Sequence, residues 1–421
     1  MSDFPTSWVQ LPVSEVVRNV TLTDKKIPQK SYLSSGKFPV FDQGQEYVGG
    51  YTDDAAMVVD CVPPVIVFGD HTRVVKLVNI AFAPGADGVK VLQPSACILP
   101  RLLEHFVRYL VTKIPNNGYA RHYQHLAKSL LPIPPLAEQH RIVAKIEELF
   151  SELDQGVASL NTAREQLKVY RQSLLKNAFA GKLTAAIGWR EKSLGQLLGF
   201  LTSGSRGWAA YYATSGDLFV RAQNIKHDRL ELDDVAFVAL PVKAEGLRTR
   251  IQQGDLLITI TGANVTKSAL VKHDLGVAYV SQHVALCRPT TEVLPEYLYW
   301  FIVAEAAGRK QLTDMAYGAG KPGLNLENIR SVNVPFPSLH EQQEIVEQIE
   351  SKLSEADQLD QTLATALQQA DALRQSILKK AFCGQLVKQD QNDEPATALL
   401  ERIRAEKSNG MNISRNRRKP G

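Results

Sequence analysis

The feature that most constrains this chain is an internal repeat. Residues 132–184 align without a gap with residues 335–387, and about half of the aligned positions are identical. The best-matched parts are the beginnings, PIPPLAEQHRIV and PFPSLHEQQEIV, and the ends, RQSLLKNAFAGKL and RQSILKKAFCGQL. Weaker echoes, Trp8 with Trp189 and Leu99-Pro100 with Leu294-Pro295, lie outside this block. The chain is therefore expected to be a duplication, in which each copy consists of a variable domain followed by a helix.

Both copies of the repeat carry apolar residues at seven-residue intervals, which is typical of a coiled coil. In the first copy, the main stripe and its companion are Ile146, Leu153, Leu160, Leu167 and Leu174, and Ile142, Leu149, Gly156, Ala163 and Tyr170. In the second copy they are Ile349, Ala356, Leu363, Ala370 and Ile377, and Ile345, Leu359, Ala366 and Leu373. Ser338 with Glu341 predicts a capping box. Gly181 and Gly384 are placed to end the helices in the left-handed conformation.

The two helices are expected to pair with each other in antiparallel orientation, because the ends of a folded domain usually lie close together. A coiled-coil homodimer is the alternative. The sequence thus predicts an α+β fold with two mixed α/β domains separated by two long antiparallel coiled-coil helices, an internal duplication with pseudo-two-fold symmetry. The predicted segments are domain one (1–133), helix one (134–184), domain two (185–335), helix two (336–387) and a basic, disordered tail (388–421) that contains RNRRK at 415–419.

The domains are expected to mix strands and helices. The segments PPVIVFGD, VVKLVNIAFA, LFVRAQNI, DLLITITG and VAYVSQHVALCRP are typical of strands. LLEHFVRYLVTKI and EYLYWFIVAEAAGRKQL are typical of helices.

Composition and motifs narrow the functional class. The net charge of +4 permits nucleic-acid binding without requiring it. There is no run of 18 apolar residues, and the N-terminus lacks the features of a signal peptide, so neither a membrane span nor secretion is expected. The four cysteines are scattered, which disfavours a metal site or a disulfide framework and favours the cytoplasm. GAGKPG at 318–323 follows a helical run and contains a proline, so it is a poor dinucleotide or P-loop motif.

The repeated helical motifs resemble those of the specificity subunits of type I restriction-modification systems. The matching segments are PPLAEQHRIVAKIEEL with RQSLLKNAFAGKL, and PSLHEQQEIVEQIE with RQSILKKAFCGQL. The resemblance covers residues 1 to about 387, although it is loose in the two domains. It implies a non-catalytic subunit that binds double-stranded DNA through two target-recognition domains. It also implies partners: two methyltransferase subunits, which carry S-adenosylmethionine, and restriction/translocase subunits. No cofactor is expected on this chain. A coiled-coil scaffold without a DNA-reading role is the alternative.

Candidate site residues follow from the chemistry of these partners. Amide, arginine and histidine side chains read base edges, whereas lysines more often contact phosphate. The predicted DNA-binding residues are Gln43, Gln45, His71, Arg73, Arg121, His122, Arg206, Gln223, Asn224, Asn264, Lys267, Lys321 and Asn325. Residues that recur in both copies but are not needed for the helix seam are predicted to dock the methyltransferase: Glu138, Gln139, Phe179, Glu341, Gln342 and Phe382. Local capping of the helix start is the alternative for the glutamates.

Overall fold

The computed structural model describes residues 4–114, 121–184, 188–241, 246–318, 322–402 and 404. The helices are α1 (Val13–Val16), α2 (Pro100–Val111), α3 (Tyr123–Lys128), α4 (Leu136–Phe179), α5 (Leu194–Leu197), α6 (Pro295–Val303), α7 (Gly308–Met315), α8 (Leu326–Arg330) and α9 (Leu339–Phe382).

The first nine strands are β1 (Val9–Pro12), β2 (Val17–Val20), β3 (Phe38–Phe41), β4 (Gly50–Thr52), β5 (Val65–Gly69), β6 (Val75–Val78), β7 (Ala83–Pro84), β8 (Val89–Pro94) and β9 (Leu130–Ile133). The others are β10 (Arg190–Ser193), β11 (Leu198–Ser203), β12 (Tyr212–Ala213), β13 (Asp217–Val220), β14 (Ile225–Lys226), β15 (Arg229–Leu230), β16 (Ala236–Val238), β17 (Leu256–Thr259), β18 (Ser268–Leu270), β19 (Ala278–Val280), β20 (Val284–Pro289) and β21 (Asn333–Phe336).

The chain divides into two compact units. Unit 1 comprises Met1–Ser159 and Ala366–Gly421, and unit 2 comprises Leu160–Thr365. Both boundaries fall inside a long helix, so each unit contains one half of α4 and one half of α9. The assignment of 1–133 and 185–335 as separate recognition domains stays a prediction.

Unit 1 is built around a four-stranded sheet with the order β2-β8-β5-β6. All five residues of β5 are buried, and they alternate between two cores because successive side chains of a strand point to opposite faces. Ile66 and Phe68 pack in the core that includes α2 and the long-helix ends, whereas Val65 and Val67 pack with Phe41 of β3. A second sheet has the order β4-β3-β7, with β3 and β7 parallel.

Unit 2 repeats this topology with different side chains. Its main sheet has the order β11-β20-β17-β18, and its second sheet contains β13 and β19 as a parallel pair. Leu256 of β17 packs in the core of α6, while the adjacent Leu257 packs with Val220 and Ala278 on the other face. The α+β fold and the duplication are confirmed. The single helix expected over EYLYWFIVAEAAGRKQL is two helices, α6 and α7.

The long helices α4 and α9 each contain 44 residues. In unit 2, Arg164 pairs with Asp360 at 3.0 Å and Arg171 pairs with Asp357 at 2.6 Å, so the numbering of α9 falls as that of α4 rises. In unit 1, Asp154 pairs with Arg374 in the same sense. The predicted antiparallel pairing is confirmed.

The companion stripe of the predicted seam is confirmed at Ile142, Leu149, Ala163, Ile345 and Ala366, which are buried or half-buried, and is wrong at four positions. The main stripe is buried or half-buried, but Gly156, Tyr170, Leu359 and Leu373 are exposed. The half-buried positions follow each of them by one residue, at Val157, Arg171, Asp360 and Arg374. Apolar spacing alone missed this register because three of these four residues are charged and pair across the helices.

The ends of the long helices follow the prediction. Gly181 and Gly384 both have φ of +70°, and the next amide bonds back five residues, from Lys182 to Asn177 and from Gln385 to Lys380. This is the Schellman arrangement, which requires a left-handed residue that glycine adopts without strain.

The predicted disordered tail is wrong for residues 388–402. Residues 396–402 are helical, and Ala396 and Leu400 are buried in the core of unit 1. Arg141 of α4 pairs with Asp393 at 2.5 Å, and the Ala396 amide donates to the Ser7 carbonyl. Composition favoured disorder because charged residues surround these two apolar anchors. The RNRRK segment lies outside the described residues.

In the part of the chain that the structure describes, no helix is long and apolar enough to cross a membrane.

Candidate nucleic-acid interface and helix anchors

Gln139, in the first turn of α4, is completely buried and joins this helix to the strand–helix connection before α2. Its Oε1 accepts a hydrogen bond from the Leu99 amide at 2.8 Å, and its Nε2 donates to the carbonyls of Cys97 and Pro134 at 2.8 and 3.0 Å. One side chain thus satisfies three buried backbone groups, each of which would be costly to leave unpaired.

Gln342 does the same at the start of α9. It is also completely buried, and its Oε1 accepts from the Leu294 amide at 2.9 Å. Its Nε2 donates to the Pro337 carbonyl at 3.0 Å and to the Glu292 carbonyl at the longer distance of 3.5 Å. The echoes Leu99-Pro100 and Leu294-Pro295 are therefore the segments that these two glutamines hold.

The neighbouring glutamates accept hydrogen bonds from the two repeated tryptophans. Trp8 Nε1 donates to Glu138 at 2.8 Å in unit 1, and Trp189 Nε1 donates to Glu341 at 3.1 Å in unit 2. Of the predicted capping box, one half is present: the Ser338 hydroxyl accepts from the Glu341 amide at 3.3 Å, while the Glu341 carboxylate faces the tryptophan.

Burial raises the pKa of Glu138, which is almost completely enclosed. The hydrogen bonds from Trp8 and Gln389 and the charge of Arg141 act in the opposite direction. Gln389 Nε2 lies 2.5 Å from Glu138 Oε1, so the C-terminal segment closes this anchor.

The repeated phenylalanines anchor the ends of the long helices. Phe382 lies edge-on to Phe106 of α2, with ring centroids 4.9 Å apart, and also contacts Tyr109. Phe179 packs in the same way against Tyr297 and Phe301 of α6 at 5.4 and 5.3 Å.

The prediction that these repeated residues dock a partner directly is contradicted for Glu138, Gln139, Phe179, Gln342 and Phe382, which are all buried within their own unit. Polar residues that recur outside the helix seam were interpreted as surface residues, but they join the long helices to the other elements of their own unit. Glu341 is half-buried and also belongs to this set of contacts. We refer to these residues with Trp8 and Trp189 as the helix anchors.

The candidate DNA-reading residues of unit 1 lie together. They belong to loop cluster 1, defined here as residues 42–45 after β3, 70–74 between β5 and β6, 85–88 before β8, and 121–122 before α3. The Asp70 amide donates to Gly88 at 2.6 Å, and Asp70 O accepts from His122 N at 2.9 Å. The Thr72 hydroxyl donates to Gln43 O at 2.7 Å. Four segments distant in sequence therefore form one surface.

The accessibility of these residues differs. Gln45 and Arg121 are exposed, whereas Gln43, His71 and Arg73 are half-buried. Arg73 has φ of +62° and donates to Ile114 O at 3.1 Å.

His122 is buried, and its Nε2 has no hydrogen-bond partner among the described residues. Direct base reading by His122 is contradicted by this burial.

Unit 2 places its candidates at the topologically equivalent edge. Loop cluster 2 is defined as residues 205–208, 221–224 after β13, 261–267 between β17 and β18, 281–283 before β20, and 322–325. Arg206 and Gln223 are exposed, and Lys267 is half-buried with its Nζ 3.7 Å from Asp228. Lys321 lies outside the described residues.

The three asparagines of this cluster have structural contacts. Asn224 is buried, accepts from the Arg221 amide at 3.0 Å and donates to Asp234 O at 2.8 Å, so its predicted role in base reading is contradicted. Asn264 donates to Ala222 O at 3.2 Å, and Asn325 caps α8 through the Asn328 amide at 2.8 Å. Base reading by these last two stays a prediction.

Sequence reasoning missed Gln282 and His283, which are exposed on the turn between β19 and β20. Their side chains lie 3.1 Å apart, Nε2 to Nε2. Two adjacent polar residues inside VAYVSQHVALCRP were the available signal for a turn, but the segment was interpreted as strand throughout.

Among the described residues, no three His, Cys, Asp or Glu side chains are grouped as metal ligands would be.

Comparisons with known proteins agree with this architecture. Residues 245–369 match the Type I restriction modification DNA specificity domain. The type I restriction enzyme EcoKI specificity subunit of Escherichia coli (strain K12) is 28% identical, over 98% of both chains. Two solved structures share the fold. A chain from work on complex assembly and conformational transition of the type I R-M system has a TM-score of 0.71 at 19% identity, covering 91% of this chain and 99% of that one. The HsdS subunit from Thermoanaerobacter tengcongensis has a TM-score of 0.57 at 20% identity, covering 91% and 98%.

The family suggested by the repeated helices is confirmed by these matches. Residues 245–369 thus match the DNA specificity domain of type I restriction-modification systems, and nearly the whole chain is similar to specificity subunits of these systems.

Proposed function

We propose that this subunit reads an asymmetric DNA target in two parts, with one half-site for each loop cluster and unspecified bases between them. The observation that carries the proposal is a contrast between the two units. Their helix anchors use corresponding side chains, whereas loop clusters 1 and 2 occupy equivalent positions in the same topology with different side chains. A shared frame with different readers is what an asymmetric target requires.

The exposed residues of the loop clusters have suitable chemistry. Gln45 and Arg121 in cluster 1 and Arg206 and Gln223 in cluster 2 present amide and guanidinium groups, which bond to the base edges of the major groove. Lys267 offers a charge to a phosphate, a contact that fixes register without reading sequence.

The proposal includes docking of methyltransferase subunits, which bring S-adenosylmethionine, and through them of restriction/translocase subunits. Because the helix anchors are buried, the proposal puts the docking surface at other residues of the long helices. Tyr170 and Leu373 occupy corresponding positions of the repeat, and both are exposed, by 43% and 52%. Leu136 and Leu339 form a second such pair, exposed by 39% and 47%. Exposed apolar residues recurring at matched positions suit two copies of one partner.

Methylation-aware sequencing of the host genome tests the two-part target. The expected motif has two different specified parts and a gap. Arg206→Ala should relax one part and leave the other unchanged, and Arg121→Ala should do the converse. A continuous or palindromic motif would contradict the proposal.

Lengthening both long helices tests whether they set the gap. One heptad inserted at corresponding places in α4 and α9 adds about 10 Å of helix. The gap should grow by about three base pairs, at about 3.4 Å each, with both half-sites unchanged. Methylation at the original spacing would show that the helices do not determine it.

The docking surface is tested by Tyr170→Ala combined with Leu373→Ala. The double variant should keep its circular dichroism spectrum but lose co-purification with the methyltransferase. Val169→Ala is the matched control, because Val169 is exposed on the same helix but its counterpart in α9, Ala372, is not a large apolar residue. Unchanged complex formation by the double variant would place docking elsewhere.

A further inference from the structure

Loop cluster 2 surrounds a cavity of about 230 Å³. Trp208 and Phe219 line it; both are nearly buried, and their rings stack with centroids 5.6 Å apart. Tyr212 lies edge-on to Phe219 at 5.7 Å and remains 48% exposed. The cavity is thus lined by aromatic surface and opens beside Arg206 and Gln223, the exposed candidates of this cluster.

Two polar groups of this cavity are buried without hydrogen bonds. Ser281 is 5% exposed, and its hydroxyl has no partner among the described residues. Arg221 Nε also has none there, although its Nη2 donates to Asp234 O at 3.1 Å. Buried polar groups are seldom left unpaired. A donor from arginine and a hydroxyl that can donate suit a ligand with acceptor oxygens.

The wall of the cavity is held rigidly. Gly204 packs so closely on the turn before β20 that an added Cβ would lie 2.1 Å from Val280 O and 2.3 Å from the Ser281 carbonyl carbon. Arg248 Nη2 donates to the Ser205 hydroxyl at 3.0 Å on the adjoining loop. These contacts hold the loop that precedes Trp208 against the turn that carries Ser281.

In unit 1 the corresponding space is occupied. Gln43 Nε2 donates to Asp87 O at 3.0 Å, and its Oε1 is 3.4 Å from the His71 amide. A Cβ added at Gly88 would lie 2.7 Å from both Gln43 Oε1 and His71 Cδ2. The side chain of Gln43 thus fills the centre of loop cluster 1, whereas the centre of loop cluster 2 is open.

We propose that the cavity of loop cluster 2 accepts one nucleobase of the second half-site, unstacked from the duplex and bearing a carbonyl oxygen, as thymine and guanine do. The inference rests on the proposed function and adds to it the way in which one base is read. The ring packs on the exposed Tyr212, beside the nearly buried Trp208 and Phe219, and its carbonyl edge accepts from Ser281 and Arg221. A stacked base offers only its edge, so contact with aromatic faces distinguishes insertion from ordinary groove reading.

The test measures binding of the full chain, with and without methyltransferase subunits, to labelled duplexes containing the genomic motif. One series carries an abasic site at each position of the second half-site in turn. Ser281→Ala removes the hydroxyl, and Tyr212→Ala removes an aromatic wall. Tyr212→Phe keeps the ring, and Gln253→Ala is a matched surface control in unit 2, before β17 rather than in the cluster.

We expect Tyr212→Ala to weaken binding of the intact duplex by about 5- to 150-fold, the range for loss of one base–aromatic stack. Tyr212→Phe and Gln253→Ala should bind as the wild type. At one abasic position alone, the losses caused by Tyr212→Ala and Ser281→Ala should disappear, because the base that they contact is absent. 2-Aminopurine beside that position should brighten on binding.

If Ser281→Ala weakens binding but Tyr212→Ala does not, and 2-aminopurine does not brighten, the protein reads the edge of a stacked base. That result would overturn insertion. Wild-type affinity of both variants on every duplex would also overturn it. A wild-type protein that binds all duplexes equally would instead overturn the proposed function, and the inference with it.

Discussion

In unit 1, Trp8 donates to Glu138 at the start of α4 and lies beside Gly384 at the end of α9, where an added Cβ would be 3.5 Å from its ring. In unit 2, Trp189 donates to Glu341 at the start of α9. A Cβ added at Gly181, at the end of α4, would lie 3.8 Å from the Trp189 ring. Each tryptophan thus joins the start of one long helix to the end of the other.

The loop clusters differ where the anchors agree. The central space of cluster 1 is filled by Gln43, whereas cluster 2 is open and lined by Trp208 and Phe219. Repetition in this sequence therefore marks intramolecular contacts, and we propose that divergence on the shared topology marks the reading surface. Matched substitutions in the two units test this conclusion.

The largest effect is expected from the aromatic anchors. Phe382→Ala and Phe179→Ala should each lower the free energy of unfolding by about 3–5 kcal/mol, because each removes a buried ring and leaves a cavity. Hydrogen exchange followed by mass spectrometry should show faster exchange in α2 for the first variant and in α6 for the second. Stable variants that lose the methyltransferase would restore the docking interpretation of these residues.

The glutamine anchors should give a smaller loss. Gln139→Ala leaves three buried backbone groups unpaired, so a loss of about 2–4 kcal/mol is expected from the desolvation of unpaired groups. Gln342→Ala should cost somewhat less, because its contact to Glu292 is already long. Chemical denaturation measures both, with Gln166→Ala, an exposed residue of α4, as control. Equal stability of all three variants would contradict the anchor role.

The sequence was sufficient for the long helices because their apolar period extends over many turns and glycine marks each end. It could not show which polar residues are buried. Glu138 and Gln139 are residue types that usually lie on a protein surface. Here Trp8 and the Leu99 backbone pack against them and enclose them.

The candidate readers show the same limit within one dipeptide. Gln223 and Asn224 are chemically similar neighbours, yet the first is exposed and the second caps a turn inside the fold. Amide chemistry could not separate the two, because the tertiary contacts of the turn after β13 bury Asn224 and leave Gln223 exposed, where its Nε2 donates to Asp234 Oδ2 at 3.1 Å. The charged register of the helix seam was missed for a related reason, since Arg171 and Asp360 lie one residue after Tyr170 and Leu359, where the seam was expected.

The third test uses the raised pKa of Glu138. Its unfolded-state value is near 4.5, and burial raises the folded-state pKa above that. As pH rises from the unfolded-state pKa through the folded-state pKa, Glu138 loses a proton more readily in the unfolded protein than in the folded protein. The free energy of unfolding therefore falls over this pH range. Glu138→Gln should abolish this part of the decline. Denaturation at several pH values measures it, with Glu152→Gln as an exposed control on α4. An identical pH profile for Glu138→Gln and the wild type would exclude the effect.

The smallest effect is expected from the ion pairs that correspond in the two units, Arg374 with Asp154 and Arg171 with Asp357. Both aspartates are more than half exposed, so Asp154→Asn and Asp357→Asn should each cost only about 0.2–1 kcal/mol. In about 1 M salt, where the screening length is about 3 Å, both losses should vanish.

The arginines should separate the two units, because Arg374 also lies 4.5 Å from the centre of the Phe150 ring. A cation over an aromatic face adds about 0.5–1 kcal/mol at an exposed site. Arg374→Gln should therefore destabilise the protein more than Arg171→Gln, and part of that loss should persist at high salt because the guanidinium also packs on the ring. Denaturation of the four single variants at low and high salt measures this difference. Equal, fully salt-sensitive losses for the two arginines would show that the Phe150 contact contributes nothing and that the two ends of the helix pair are equivalent.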